Sequence, residues 1–113
     1  MVNNIFINKD SYSYIKSGKK RIEGRLKRGR FKSLDIKKND ILTFSSFNDS
    51  CKVKIKDILE YNNILDYLTK ENLQEIIPGI KDITSAYKHY SKFYCDKKLK
   101  KYKMIAIKFE IIQ

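Results

Sequence analysis

The chain has 113 residues, enough to close one hydrophobic core and too few for two, so a single domain over 1–113 is expected. An apolar share of 42% with eight Tyr and six Phe excludes a disordered chain, although 34% of the residues are charged. No apolar run approaches the roughly 20 residues of a bilayer-spanning helix, and Met1 to Asn4 lacks the basic start and apolar stretch of a secretory leader. A cytoplasmic or nuclear protein, not secreted and without a membrane partner, is therefore expected.

The formal net charge is +12, and it is unevenly spread: residues 1–38 hold twelve Lys and Arg against Asp10, Glu23 and Asp35. Such a stretch draws phosphate backbones and other polyanions, but a merely solubilising surface has the same composition. The two cysteines, Cys51 and Cys95, show no Cys-x-x-Cys or Cys/His spacing. Free thiols, no metal and no cofactor are expected.

In chain order, Asn4 to Ile7 reads as a short strand. Asp10 or Ser11 is placed to cap a short helix that Gly18 ends in a left-handed conformation. From Arg21 to Lys27 the period is two: Ile22, Gly24 and Leu26 share one face, while Arg21, Glu23, Arg25 and Lys27 share the other. Arg28-Gly29-Arg30 is a basic turn, and Ile36 to Asp40 a second turn before an apolar strand, Ile41 to Phe44. Cys51 to Lys56 alternates, with Cys51, Val53 and Ile55 inward and three solvated lysines outward.

Past Asn62 the period becomes helical. Ile64, Leu65 and Leu68 form one stripe, and Leu73, Ile76 and Ile77 a second that Pro78-Gly79 stops. Asp82 is expected to cap a helix bearing Ile83, Ala86, Tyr87, Tyr90 and Tyr94 at helical spacing. A basic stretch from Lys97 to Lys103 leads into a closing strand, Met104 to Ile112. The order is strands, helices, strand around one core.

The chemistry-bearing pattern is Gly18-x-Lys20-x-x-Glu23-x-Arg25, in which a tight turn delivers a lysine to a strand projecting a carboxylate and a guanidinium. Arginine binds a phosphate or a base edge with two prongs, lysine adds a mobile charge, and the carboxylate accepts from a base amino group or orients the arginine. A surface salt-bridge ladder has the same pattern. Tyr87 and Tyr90 sit at core spacing, yet aromatics beside Lys88 and Lys92 also suit base stacking. His89, with no paired histidine, cysteine or serine, reads as a packing residue.

The run from Tyr14 to Leu26 resembles the signature of the ASCH domain, a PUA-like family. The turn into Ile41 to Phe44, the helix ending at Pro78-Gly79, the aromatic helix from Ala86 to Tyr94 and the segment Lys101 to Ile107 resemble its later elements in order. The resemblance implies an α+β fold, a small PUA-like β-barrel with flanking α-helices, and a basic cleft between barrel and helices that binds RNA, single-stranded nucleic acid or a nucleotide-like ligand. Lys20, Glu23, Arg25, Tyr90 and Tyr94 are the expected ligand residues. Lys19, Arg21, Lys27, Arg28 and Arg30 are expected to hold phosphates beside it, in a monomer.

Two other readings stay open. Some ASCH proteins are acetylcytidine amidohydrolases using a lysine, a threonine and a glutamate, and others are ribonucleases. Here Lys20 matches the lysine, Glu23 stands in the threonine's place and Glu75 is a loose match to the second carboxylate. The family's namesake instead suggests a protein-interaction domain of a transcription or translation regulator.

Overall fold

The computed structural model describes residues 4–33 and 35–112. Met1, Val2 and Asn3, the start of the segment that reads as lacking a leader, lie outside the described residues. The elements are β1 (Asn4–Phe6), α1 (Lys9–Lys16), β2 (Ile22–Leu26), β3 (Ile41–Ser46), β4 (Asp49–Tyr61), α2 (Ile64–Lys70), α3 (Leu73–Ile76), α4 (Ile83–Ser91), α5 (Asp96–Lys101) and β5 (Met104–Ile111). A single 3-10 turn, Gly29–Phe31, follows β2. This is the α+β order expected from the sequence.

The sheet runs β1-β3-β4-β5-β2, parallel between β1 and β3 and antiparallel elsewhere. That order puts β1 and β2 on opposite edges, yet side chains span the gap between them. Arg25 Nη2 donates to Phe6 O at 3.1 Å, and Arg30 Nη2 donates to Asn4 O at 2.8 Å. The sheet therefore curls into a half-barrel whose seam is closed by two guanidinium groups instead of a backbone ladder.

Cross-strand neighbours share a face, and the register sorts the core. Glu23 and Arg25 lie opposite Ile107 and Ile105, on the barrel interior with Ile5, Leu42, Phe44, Val53 and Ile55. Gly24 and Leu26 lie opposite Ala106 and Met104, on the outer face that packs against Tyr67, Leu68, Ile76 and Ala86 of the helices. The alternation in β2 was read correctly. Its charged face, however, is covered, and Glu23 is only 8% exposed.

β4 extends five residues beyond the expected strand end. A bulge at Lys56 inserts one residue, so that inward positions change from Val53 and Ile55 to Ile58. A strict period of two stops where the parity changes.

Local chemistry explains most ends and three corrections. The cap of α1 is Asn8, not Asp10 or Ser11: its side chain accepts from Ser11 N at 2.8 Å, and Asp10 falls in the first turn, where a carboxylate suits the helix dipole. Gly18 then ends the helix at φ 83°. In α2 the inward residues are Ile64, Tyr67 and Leu68, while Leu65 is 53% exposed because it points about a quarter turn away. The basic stretch after Cys95 is partly a helix, α5, anchored by the one buried side chain Leu99, too few apolar residues to leave a stripe. Asp82 caps α4 as expected, accepting from Ser85 N at 2.8 Å.

Candidate functional site

Lys20 sits where the chain leaves the Gly18 turn and starts β2, and it is 5% exposed. Its ammonium donates to Ile22 O at 2.7 Å and Ile76 O at 2.6 Å, and contacts Glu23 Oε1 at 3.2 Å. All three N–H bonds are thus engaged, and with Arg21 N donating to Glu75 O at 2.9 Å they tie α3 to the start of β2. Burial pushes the Lys20 pKa down, with Glu23 opposing. Three acceptors around one nitrogen still call for the ammonium form.

Glu23 is the centre of the group. Its Oε2 accepts from Arg25 Nε at 2.7 Å while Oε1 faces Lys20. Burial alone would raise its pKa, but Lys20 and Arg25 outweigh it and hold the carboxyl below its ordinary value. Burial likewise works against the Arg25 guanidinium, and Glu23 more than offsets it, so its pKa rises. Arg25 uses Nε on Glu23 and Nη2 on Phe6 O, and packs 5.4 Å from the Phe31 ring centroid.

These residues form one wall of a cleft of about 570 Å³ between the barrel seam and α4. Tyr90, His89, Phe93 and Tyr94 form the facing wall, Ile76 to Pro78 closes one end, and Phe6, Phe47 and Tyr14 stand at the rim. The buried Tyr90 hydroxyl pairs with that of Tyr67 at 3.1 Å, and its pKa is raised by burial and by Glu23. His89 lies edge-on to Tyr90 and Phe93 at 5.9 and 5.5 Å between centroids. Burial, then Lys92 and Lys20, push its pKa down, so it is uncharged at neutral pH.

The rim carries a backbone anomaly. Phe47, in the two-residue turn between β3 and β4, has φ 52° and is 79% exposed. A positive φ is rare for a bulky side chain. It meets Phe6, itself 61% exposed, edge-on at 6.0 Å.

All five expected ligand residues, Lys20, Glu23, Arg25, Tyr90 and Tyr94, line this cleft. None of the five expected phosphate residues does. Lys19 borders a separate shallow groove with Gln74 and Gly79, and Arg21 donates to Gly18 O. Lys27 and Arg28 border another groove, and Arg30 closes the barrel seam. The expected basic cleft is therefore not basic: Lys20 and Arg25 stand against Glu23 and Asp10. Glu75 is absent from its lining, and the carbonyl of that residue is what engages β2.

Sequence reasoning missed Phe6, Phe47 and Tyr14 at the rim, and Tyr67 behind it. Tyr67 was readable, since Ile64, Tyr67 and Leu68 follow helical spacing. Nothing local marks Phe47 as a site residue. Among the described residues no cluster of three or more His, Cys, Asp or Glu is placed to hold a metal ion, and no helix is long and apolar enough to cross a membrane. Cys51 is buried and Cys95 exposed, both as free thiols.

Comparison with known proteins agrees with this architecture. The chain is similar to hypothetical protein PH0355, with 36% identity, TM-score 0.86, and 99% and 100% of the two chains covered. It is also similar to protein PF0455 from Pyrococcus furiosus, with 34% identity, TM-score 0.76, and 100% and 99% covered. An ASCH domain from Lactobacillus crispatus JV V101 shares the fold at 12% identity and TM-score 0.68, over 96% of this chain and 77% of that one. Among curated proteins none matches. The ASCH domain family matches residues 5–113. With that match and the curled five-stranded half-barrel flanked by helices, the chain belongs to the ASCH domain family, with its PUA-like fold.

Proposed function

We propose that the cleft binds a nucleobase or nucleoside portion of RNA, through a buried carboxylate and guanidinium set in an aromatic surround. The observation that carries this reading is Glu23, buried and charged between Lys20 and Arg25 in a cleft without net charge. An uncharged, planar ligand with polar edges suits such a wall better than a phosphate does. Arg25 keeps N–H groups beyond those used on Glu23 and Phe6, and Tyr94 adds a hydroxyl, so the lining holds donors and acceptors together. The volume falls within the usual 300–1,000 Å³ range of small-molecule sites. Membership in a family associated with nucleic-acid binding supports the same class of ligand.

The geometry disfavours an amidohydrolase role. A general base needs a pKa near the working pH, whereas Glu23 is held below the ordinary carboxylate value. Lys20 has no free N–H, and Glu75 is not in the lining.

Titrating the labelled protein with the four ribonucleosides and with acetylcytidine, while following backbone amides by NMR, tests the reading. Shifts should concentrate at Gly24, Arg25, Tyr90 and Phe93 without conversion of acetylcytidine. Shifts confined to other surfaces would overturn the site, and release of acetate lost in Lys20→Ala would overturn the binding-only role.

A further inference from the structure

We infer that a second surface, the groove between the 3-10 turn after β2 and the α5–β5 junction, carries the sugar-phosphate backbone of a single-stranded nucleic acid. The inference rests on the cleft reading for its ligand class, but on different residues. The groove is lined by Lys27, Arg28, Lys32, Lys101, Tyr102 and Lys103, encloses about 510 Å³ and has no carboxylate in its lining. The two ends of the chain's basic sequence meet here because Lys27 N donates to Lys103 O at 2.8 Å, which continues the β2–β5 ladder.

Charge pairing within the groove is incomplete. Glu60 takes both Lys27 and Lys103 and fixes their positions. Among the described residues, Arg28, Lys32 and Lys101 have no carboxylate partner. Arg28 and Lys101 both approach the Tyr102 ring, at 5.8 and 5.3 Å from its centroid, so one ring gathers two mutually repelling cations. An anion between them relieves that repulsion, and the half-buried ring beneath is suited to a sugar or base.

The groove and the cleft share no lining residue, but Arg25 of the cleft and Lys27 of the groove are neighbours along the chain. Lys27 lies just past the end of β2, two residues after Arg25 and about 7 Å along at the usual extended-chain rise. A strand whose base enters the cleft at Glu23 and Arg25 thus passes Lys27 as it leaves. Recognition of an unpaired, splayed base requires a single strand. An anionic membrane fits less well, since the lining offers no exposed apolar side chain to insert.

The test measures binding of a short single-stranded RNA by fluorescence anisotropy over a range of salt. Wild-type affinity should fall linearly in log–log form. The triple variant Arg28→Gln, Lys32→Gln, Lys101→Gln should bind more weakly and lose slope by roughly 0.7 per lost phosphate contact, about 2 in all. A control of equal charge loss on exposed lysines outside the groove lining, Lys38→Gln, Lys52→Gln, Lys81→Gln, should keep the wild-type slope.

Equal loss in both variants would reduce the effect to net charge and overturn the proposal, as would an unchanged slope in the groove variant. Binding to phosphatidylserine vesicles through the same three residues, with RNA indifferent to them, would overturn it in favour of a membrane. If nucleosides leave the cleft amides unmoved while the groove variant still loses slope, the cleft reading fails and the groove proposal stands.

Discussion

The hydroxyl end of Tyr67 occupies the space in which a side chain on Gly24 would stand. A Cβ on Gly24 would lie 2.6 Å from Tyr67 Cζ and 2.9 Å from Met104 Cε, both well inside contact distance. Gly24 is thus a glycine because an α2 tyrosine crosses the edge strand there, and that crossing lets Tyr67 reach the Tyr90 hydroxyl behind the cleft. Gly24→Ala is expected to destabilise by about 1–3 kcal/mol, as overpacked cores do. Tyr67→Phe should cost about 1 kcal/mol in the wild type, from its lost hydrogen bond, and less in the Gly24→Ala background, where it relieves the overlap. Urea denaturation of the four proteins as a double-mutant cycle reads the coupling, and strict additivity would refute the contact.

Lys20 is expected to matter first for folding. Removing its ammonium leaves Ile22 O and Ile76 O without a donor and Glu23 with Arg25 alone. Lys20→Met should cost about 3–5 kcal/mol, as for breaking a buried pair. Lys20→Arg should not restore stability, because a planar guanidinium cannot point at three acceptors around one nitrogen. Denaturation midpoints of both variants check this, and a Lys20→Met protein as stable as the wild type would show that the three contacts are energetically idle.

The lowered pKa of Glu23 sets an acid limit. Its folded value lies below the unfolded one, so the unfolded state binds the extra proton as pH falls. The carboxylate's contribution is complete above the unfolded value, about 4.3 for glutamate, and is lost as pH drops through the folded value. The stability difference between wild type and Glu23→Gln should therefore be constant from neutral pH to about 5 and shrink at lower pH. Thermal unfolding of the pair across that range measures it; a difference independent of pH would mean that Glu23 does not titrate as argued.

Phe47 combines backbone strain with exposure, an arrangement that packing does not explain. Left-handed geometry costs a non-glycine residue roughly 1–2 kcal/mol, so Phe47→Gly should leave stability equal or raise it by up to about 1 kcal/mol. Nucleoside affinity should fall, since a stacked aromatic contributes about 1–3 kcal/mol per base. Calorimetry for binding and for melting separates the two effects. Lower stability with unchanged affinity would make Phe47 an ordinary turn residue.

Much of the architecture was legible because neighbouring side chains report it. The alternation of Ile22, Gly24 and Leu26, the helical spacing from Ile83 to Tyr90, and the Gly18 and Asp82 signals all correspond to real elements, although α4 stops at Ser91 and leaves Tyr94 beyond it. The end of β4 was not legible, because the bulge at Lys56 reverses inward and outward positions. α5 was hidden for the opposite reason, with Leu99 as its one buried residue and no stripe to read.

The candidate site divides in the same way. Sequence by itself suggested the family and the five ligand candidates, since strand spacing relates Glu23 to Arg25, the Gly18 turn delivers Lys20 beside them, and Tyr90 and Tyr94 are four residues apart. Only the tertiary structure decided which charges are available to a ligand. Spacing gives a residue's direction but not what lies across from it, and the curl of the sheet turned Arg25 and Arg30 to the backbone of β1. The docking of α3 gave Lys20 its third acceptor, the Lys20–Glu23–Arg25 group left the cleft without net charge, and the Lys27–Lys103 pairing that continues the β2–β5 ladder gathered the cations beside Tyr102.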